Sequence, residues 1–299
     1  MRDNPERRKL KQFFTILAAA TLFGCNNVNT PVEQKAIVTD TVSQPAITQQ
    51  AKKAPRVTKK ILDAGPIVLD TNKRYIFLTF DDGPQPPGSN ICFNIFRQSG
   101  VKATFFNISD QMETKGEENL VDSIRNSYPN YLLANHSKSH AFNNKYFYFY
   151  HHPQDAAKDF FACQQKLNIP FKIARLPGNS AWVRQGEIKA SGLVRPVCRL
   201  LDSAGYNVIG WDLEWGFKTK NHQSVPVQSA NTMVKMIDYA FTSHHSHSLN
   251  TVVLLAHDRM FAHPNYADSL SKCIAMLKKD PRYVFETIDH YPGIKHSKN

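Results

Sequence analysis

The stretch Tyr75-Ile76-Phe77-Leu78-Thr79-Phe80-Asp81-Asp82-Gly83-Pro84 decides how this chain is read. An apolar run of strand length ends in two adjacent carboxylates and a turn. Burying a charge is costly unless a partner cancels it, and two acids side by side push one pKa up. A cation relieves both penalties, so the next question is which other residues could hold one.

Four further segments end apolar runs in the same way. In His136-Ser137-Lys138-Ser139-His140 the imidazoles stand at i and i+4, a spacing that puts both on one face of a helical turn. Two imidazoles and one carboxylate, Asp82 or Asp81, with a position left for water, make the usual hydrolytic zinc site. Leu254-Leu255-Ala256-His257-Asp258 brings a histidine to another strand end, where an imidazole titrating near neutrality can act as general acid. Arg175-Leu176-Pro177-Gly178-Asn179 offers a guanidinium to pair with the aspartate that does not bind metal. Trp211-Asp212-Leu213-Glu214-Trp215 sets indoles beside carboxylates, a pairing suited to a sugar site and also compatible with a core tryptophan pair.

Taken in this order, the five segments resemble the NodB-type polysaccharide deacetylases, carbohydrate esterase family 4, over residues 74–290. The resemblance implies an α/β fold, a distorted (β/α) barrel with about seven parallel strands. It implies one divalent metal ion, usually zinc, held by Asp82, His136 and His140. Asp81 would be the general base, His257 the general acid, and Arg175 the residue that orients Asp81. Gly178, Trp211, Trp215 and Leu255 fall at substrate-binding positions, with the Gly178 N–H facing a developing oxyanion.

Two departures stand out. The family continues its arginine motif with Pro-Tyr-Gly or Pro-Trp-Gly, where this chain has Pro177-Gly178-Asn179, so one aromatic wall is missing. The family's Asp-x-x-Asp-Trp is here one residue shorter, which leaves Glu214, slightly favoured, or Asp212 to support His257. The expected activity is removal of N-acetyl groups from an N-acetylglucosamine-containing polysaccharide or oligosaccharide. A carbohydrate-binding protein without catalysis and an amidohydrolase of a non-sugar substrate are the competing readings.

Strand-like runs at 75–80, 103–106, 131–134, 171–174, 207–210, 251–255 and 283–286 alternate with helix-like segments at 117–127, 154–167, 229–241 and 267–279. That alternation predicts parallel strands with helical crossovers, and every chemical motif falls just past a strand end, where barrel active sites are built. The aromatic segment 145–152 reads as a helix packed on the barrel or as a stacking platform at its rim. The tract His244-His245-Ser246-His247 reads as a solvated loop.

The chain has 299 residues and a net charge of +12. Arg2, Arg7, Arg8, Lys9 and Lys11 precede a short apolar stretch that ends Leu22-Phe23-Gly24-Cys25. Residues 1–24 read as a signal peptide of lipoprotein type with Cys25 acylated, ordinary secretion being the alternative. Asn26 after that cysteine, by resemblance to Gram-negative lipoproteins, does not direct retention at the inner membrane. The expected location is thus the periplasm or the outer membrane, with a lipid anchor to the membrane. Residues 25–72, rich in Thr, Gln, Ala, Pro and Lys, read as a disordered tether, and 73–299 as the deacetylase domain. An exported basic chain meets anionic envelope polymers or lipid head groups before nucleic acid, so no nucleic-acid partner is expected, and a monomer is. Cys92, Cys163, Cys198 and Cys273 would form up to two disulfides or remain buried thiols.

Overall fold

The computed structural model describes residues 61–243 and 245–296. The signal segment, Cys25, His244 and most of the tether lie outside them. The described residues fall within a unit spanning Val57–Asn299. None of its described helices is long and apolar enough to cross a membrane.

Strand β1 (Arg74–Gly83) is buried along nearly its whole length, because both of its faces are covered, as parallel strands require. Side chains alternate across a strand, and β1 divides accordingly. Ile76, Leu78 and Phe80 face outward into a cluster with the helices Gly88–Ser99, Ala230–Thr242 and Pro264–Leu277. Tyr75 and Phe77 face inward, with Phe106, Leu132, Val253, Ile288 and Tyr291. The inward row continues through Thr79 to Asp81, so the first acid of the pair points into the barrel mouth above an apolar floor.

In chain order the other strands are β2 (Ala103–Asn107), β3 (Tyr131–Asn135), β4 (Ile173–Ala174), β5 (Trp182–Arg184), β6 (Glu187–Lys189), β7 (Asn207–Val208), β8 (Leu213–Glu214), β9 (Phe217–Lys220), β10 (Gln223–Pro226), β11 (Thr251–His257) and β12 (Tyr283–Phe285). The main sheet runs β6-β5-β7-β4-β3-β2-β1-β11-β8. Strand β12 pairs with the start of β1 on the edge that β2 takes further along. All neighbours are parallel except β5 against β7 and β6 against β5. With β6 and β8 as its two margins, the sheet is an open, distorted (β/α) barrel, and β9 and β10 form a separate hairpin. All seven expected strands are present. Strands β5, β6, β8, β9 and β10 were not foreseen, since two to four residues leave no readable period.

The tether reading extends too far. Residues 61–72 lack regular structure, yet Ile61 and Leu69 pack against the inner cluster. The Tyr75 hydroxyl accepts from the Asp70 N–H at 2.9 Å, and His296 pairs with Asp63 at 2.8 Å. The four cysteines in the described region are buried thiols. Burial pushes Cys163, Cys198 and Cys273 up to about 12, and a thiol held protonated is a poor nucleophile.

Candidate active site

Register places the first pair of residues. The β1–β11 ladder sets Asp81 beside His257, and the β1–β2 ladder sets it beside Phe106. Straight alternation would aim Asp82 at the opposite face. A register shift between Asp81 and Gly83 and a left-handed Asp82, φ 69°, swing its carboxylate back to the same mouth, as a bulge does. The following residue must be glycine: a Cβ on Gly83 would lie 2.7 Å from both Asn107 Oδ1 and Asp258 Oδ2.

The two histidines of the third strand's loop do not share a right-handed turn as expected. His136 follows β3 directly, and His140 opens a left-handed turn in which residues 140–144 all have φ between 49° and 66°. Such backbone is unfavourable for residues with a Cβ, and surrounding contacts hold it. Asp159, from the helix Pro153–Lys166, accepts from the N–H groups of Lys138 at 2.8 Å and Ser139 at 3.1 Å, and from Ser139 Oγ at 3.0 Å. Ser139 Oγ in turn accepts from the Phe142 N–H at 2.9 Å.

The outcome is a compact ligand set. The donor atoms of Asp82, His136 and His140 lie within 4.8 Å of one another. Asp82 Oδ1 is 3.4 Å from His136 Nε2 and 3.2 Å from His140 Nε2. Bonds of about 2.1 Å to one tetrahedral ion would set ligand atoms about 3.4 Å apart. Asp82 Oδ1 is buried without a hydrogen-bond partner, a cost that a cation would remove. Both imidazoles have their other nitrogen engaged: His136 Nδ1 donates to the Arg175 carbonyl at 3.0 Å, and His140 Nδ1 to Asn144 Oδ1 at 2.6 Å. Each Nε2 therefore turns a lone pair toward Asp82, the tautomer that metal ligation needs. These residues fit a divalent ion. Burial alone would raise the Asp82 pKa, but the histidines around it, His136 above all, outweigh burial and hold the carboxyl well below its usual range.

Arg175, fully buried, joins the halves of the site. Its Nη1 donates to Asp81 Oδ1 at 2.9 Å and to Thr79 Oγ1 at 2.6 Å. Its Nε and Nη2 donate to the carbonyls of Ile209 and Gly210. The guanidinium lies over Phe106 at 4.3 Å, with Trp211 at 5.8 Å. Asp81 is thus held by one oxygen, while its Oδ2 stands 3.7 Å from His136 Nε2. His257 approaches from the other flank, its Nε2 3.7 Å from Asp82 Oδ2. Burial, opposed by the Asp82 and Asp81 charges, lowers its pKa.

Several expected roles change. His257 Nδ1 is buried without a partner, so neither Glu214 nor Asp212 supports it. Glu214 is exposed on β8. The Asp212 carboxylate instead accepts from the N–H groups of His247 at 2.6 Å and Val253 at 2.7 Å, which ties β11 to the segment between β7 and β8. Trp215 is a core residue: it is buried, its Nε1 donates to the Gln228 carbonyl, and its ring packs edge-on against Phe261. Leu255, on the same face of β11 as His257, is buried. Trp211 is half-buried and Gly178 exposed.

Three neighbours carried no sequence signal. Arg259 places Nη2 2.9 Å from Asp82 Oδ2, stacks 4.6 Å over Phe217 of the β9–β10 hairpin, and so reserves Oδ1 for the histidines. Phe217 also meets His257 edge-on at 4.9 Å. Asp258 is fully buried and accepts from Ser89 Oγ. Burial, with the Asp82 and Asp81 charges, pushes it up to about 7 against that hydrogen bond. These contacts join residues far apart in the chain.

Residues 68–177 match the family model described as polysaccharide deacetylase. No curated protein matches the chain. Among solved structures, a family 4 carbohydrate esterase from Streptomyces lividans in complex with acetate is 20% identical and covers 76% of this chain and 98% of its own, with a TM-score of 0.50. A Streptococcus mutans CE4 esterase is 21% identical, covering 73% of this chain and 87% of its own at a TM-score of 0.54. The catalytic domain of a peptidoglycan N-acetylglucosamine deacetylase from Eubacterium rectale is 21% identical, covering 79% and 98% at a TM-score of 0.54. The barrel described above is therefore the fold of the family 4 carbohydrate esterases, and residues 68–177 carry the match to the polysaccharide deacetylases.

Proposed function

We propose that the protein is a metal-dependent hydrolase that removes N-acetyl groups from an N-acetylglucosamine-containing polysaccharide or oligosaccharide. One observation carries this reading: Asp82, His136 and His140 converge with both imidazoles in the ligating tautomer, beside an Asp81 clamped by Arg175. A pure sugar binder has no use for that combination. The polysaccharide deacetylase match and the N-acetylglucosamine deacetylase among the similar structures support the substrate class.

Asp82, His136 and His140 would hold the ion; zinc suits two imidazoles and a carboxylate. When bound, the ion supplies positive charge that polarises the acyl carbonyl and acidifies water. Asp81, fixed through Oδ1 by Arg175, takes the proton of the attacking water on Oδ2. The Gly178 N–H faces the oxygen on which negative charge develops. His257, on the opposite flank, gives a proton to the departing amine. Water and amide thus become acetate and a free amine.

The test is acetate release from chitooligosaccharides, poly-N-acetylglucosamine and peptidoglycan, measured side by side with zinc-loaded protein. Asp81→Asn is expected to abolish turnover and to bind zinc as the wild type does. Zinc binding without acetate release from any of the three would refute the reading. Export and acylation at Cys25, which would put the enzyme at the periplasmic or outer-membrane surface as a monomer, rest on the sequence of residues 1–25. Palmitate labelling that persists in Cys25→Ser would refute the anchor.

A further inference from the structure

We propose that Phe217 is the residue that positions His257 for proton donation, in place of a supporting carboxylate, an inference that rests on the hydrolase reading above. No carboxylate hydrogen bond fixes this imidazole. Its Nδ1 is buried without a partner, and its Nε2 stands 3.7 Å from Asp82 Oδ2, beyond hydrogen-bonding reach. The β1–β11 ladder holds the His257 backbone beside Asp81, but a ladder leaves the ring free to turn about its side-chain bonds. Packing must therefore select its orientation.

The packing partner is an aromatic ring. Phe217 meets the imidazole with centroids 4.9 Å apart and planes at 68°, the edge-to-face arrangement that aromatic rings favour. Paired segments bring the two together. Strand β8 runs parallel to β11, and the Trp215 N–H donates to the Leu255 carbonyl at 2.8 Å. Two residues further along each segment stand Phe217 and His257. The hairpin that starts at Phe217 is closed at its base. The Gly216 N–H donates to Gln228 Oε1 at 3.0 Å, and the Gly216 carbonyl accepts from the Val227 N–H at 2.8 Å. Trp215 Nε1 donates to the Gln228 carbonyl at 2.8 Å. Phe217 also packs against the outer apolar cluster, and Arg259 lies 4.6 Å over its ring. The ring is thus itself held in place where it meets His257.

A displaced donor matters only where the leaving group needs a proton. As the C–N bond of the amide breaks, a proton passes from the imidazole to the amine nitrogen, which takes the bonding electron pair. Nitrophenolate leaves an acetyl ester as a stable anion and needs no such proton. Loss of Phe217 should therefore slow amide cleavage far more than ester cleavage. A general loosening of the fold would slow both alike.

The experiment measures kcat/KM for N-acetyl chitooligosaccharides and for 4-nitrophenyl acetate, with zinc content determined for each variant. Phe217→Ala should lower the amide value about 10- to 100-fold, the effect of a small misplacement of a reacting group, and leave the ester value and the zinc stoichiometry nearly unchanged. Phe217→Tyr, which keeps the ring, should retain the wild-type amide rate. In a His257→Ala background, Phe217→Ala should cost nothing more, because the two residues act as one unit. Equal losses on both substrates, losses that add to those of His257→Ala, or a fall in zinc content that traces the effect to Arg259 and Asp82, would each overturn the proposal. A second measurement needs no turnover: NMR relaxation of the imidazole carbons, in which the His257 ring should be rigid in wild type and mobile in Phe217→Ala. Unchanged ring dynamics overturn the proposal as well. If the wild type cleaves no amide, the hydrolase reading fails, and the NMR comparison still decides whether Phe217 fixes the ring.

Discussion

Replacing Asp159 by alanine removes a carboxylate that touches none of the reacting groups yet supports the loop carrying both histidines. The side chain accepts three hydrogen bonds, two of them from backbone N–H groups at Lys138 and Ser139. Leaving those two donors unpaired costs about 1–3 kcal/mol each, so the expected loss of stability is about 2–6 kcal/mol. That fits within a typical folding stability of about 5–15 kcal/mol, and the variant should still fold. The left-handed turn at 140–144 then loses its clamp, and His140 its placement. Groups that orient ligands in this way commonly change metal affinity by about 10- to 100-fold. Calorimetric zinc titration and urea unfolding of wild type, Asp159→Ala and Asp159→Asn measure both effects. Asn keeps one acceptor oxygen and should fall between the other two. If Asp159→Ala unfolds at lower urea but binds zinc within about twofold of wild type, the loop does not govern the ligand set and the reasoning fails.

Two other outcomes follow from the same geometry. Arg175→Lys keeps a charge but cannot reach Thr79, Asp81, Ile209 and Gly210 together; breaking such a buried pair costs about 3–5 kcal/mol, and turnover should fall at least about 100-fold, with wild-type rates and an unchanged urea midpoint as the contrary result. Away from the site, His290 donates to Glu286 at 2.7 Å, and that hydrogen bond raises the His290 pKa against burial. Its stabilising effect is complete below the ordinary imidazole value of 6.5 and is lost as pH rises through the raised one. Thermal unfolding should therefore move to lower temperature between neutral and alkaline pH in wild type, and this decline should flatten in His290→Gln; equal slopes in the two proteins would exclude His290 as its source.

Much of the site was legible because it lies at strand ends. Asp81, Asp82, His136, Arg175 and His257 each follow an apolar run, and runs of that kind need only local pattern to be seen. The i,i+4 histidine pair was read as a helical turn because spacing carries no handedness, and only tertiary contacts such as those of Asp159 hold the left-handed form. The Trp215 and Glu214 assignments failed for a related reason. Two residues of strand β8 decide which side chain goes in and which out, and an indole beside an acid looks the same whether it lines a cleft or fills a core. Arg259 was invisible as a site residue because its partners come from distant segments, Asp82 on β1 and Phe217 of the hairpin.

The backbone carbonyl of Arg175 receives His136, while its guanidinium grips Asp81. The proposed cation cradle and proton acceptor thus share a single fulcrum just past β4. A displacement of that short strand carries both along and preserves their spacing, whereas a side-chain replacement severs only one arm. Neighbouring loops can then drift without throwing His136 and Asp81 out of alignment.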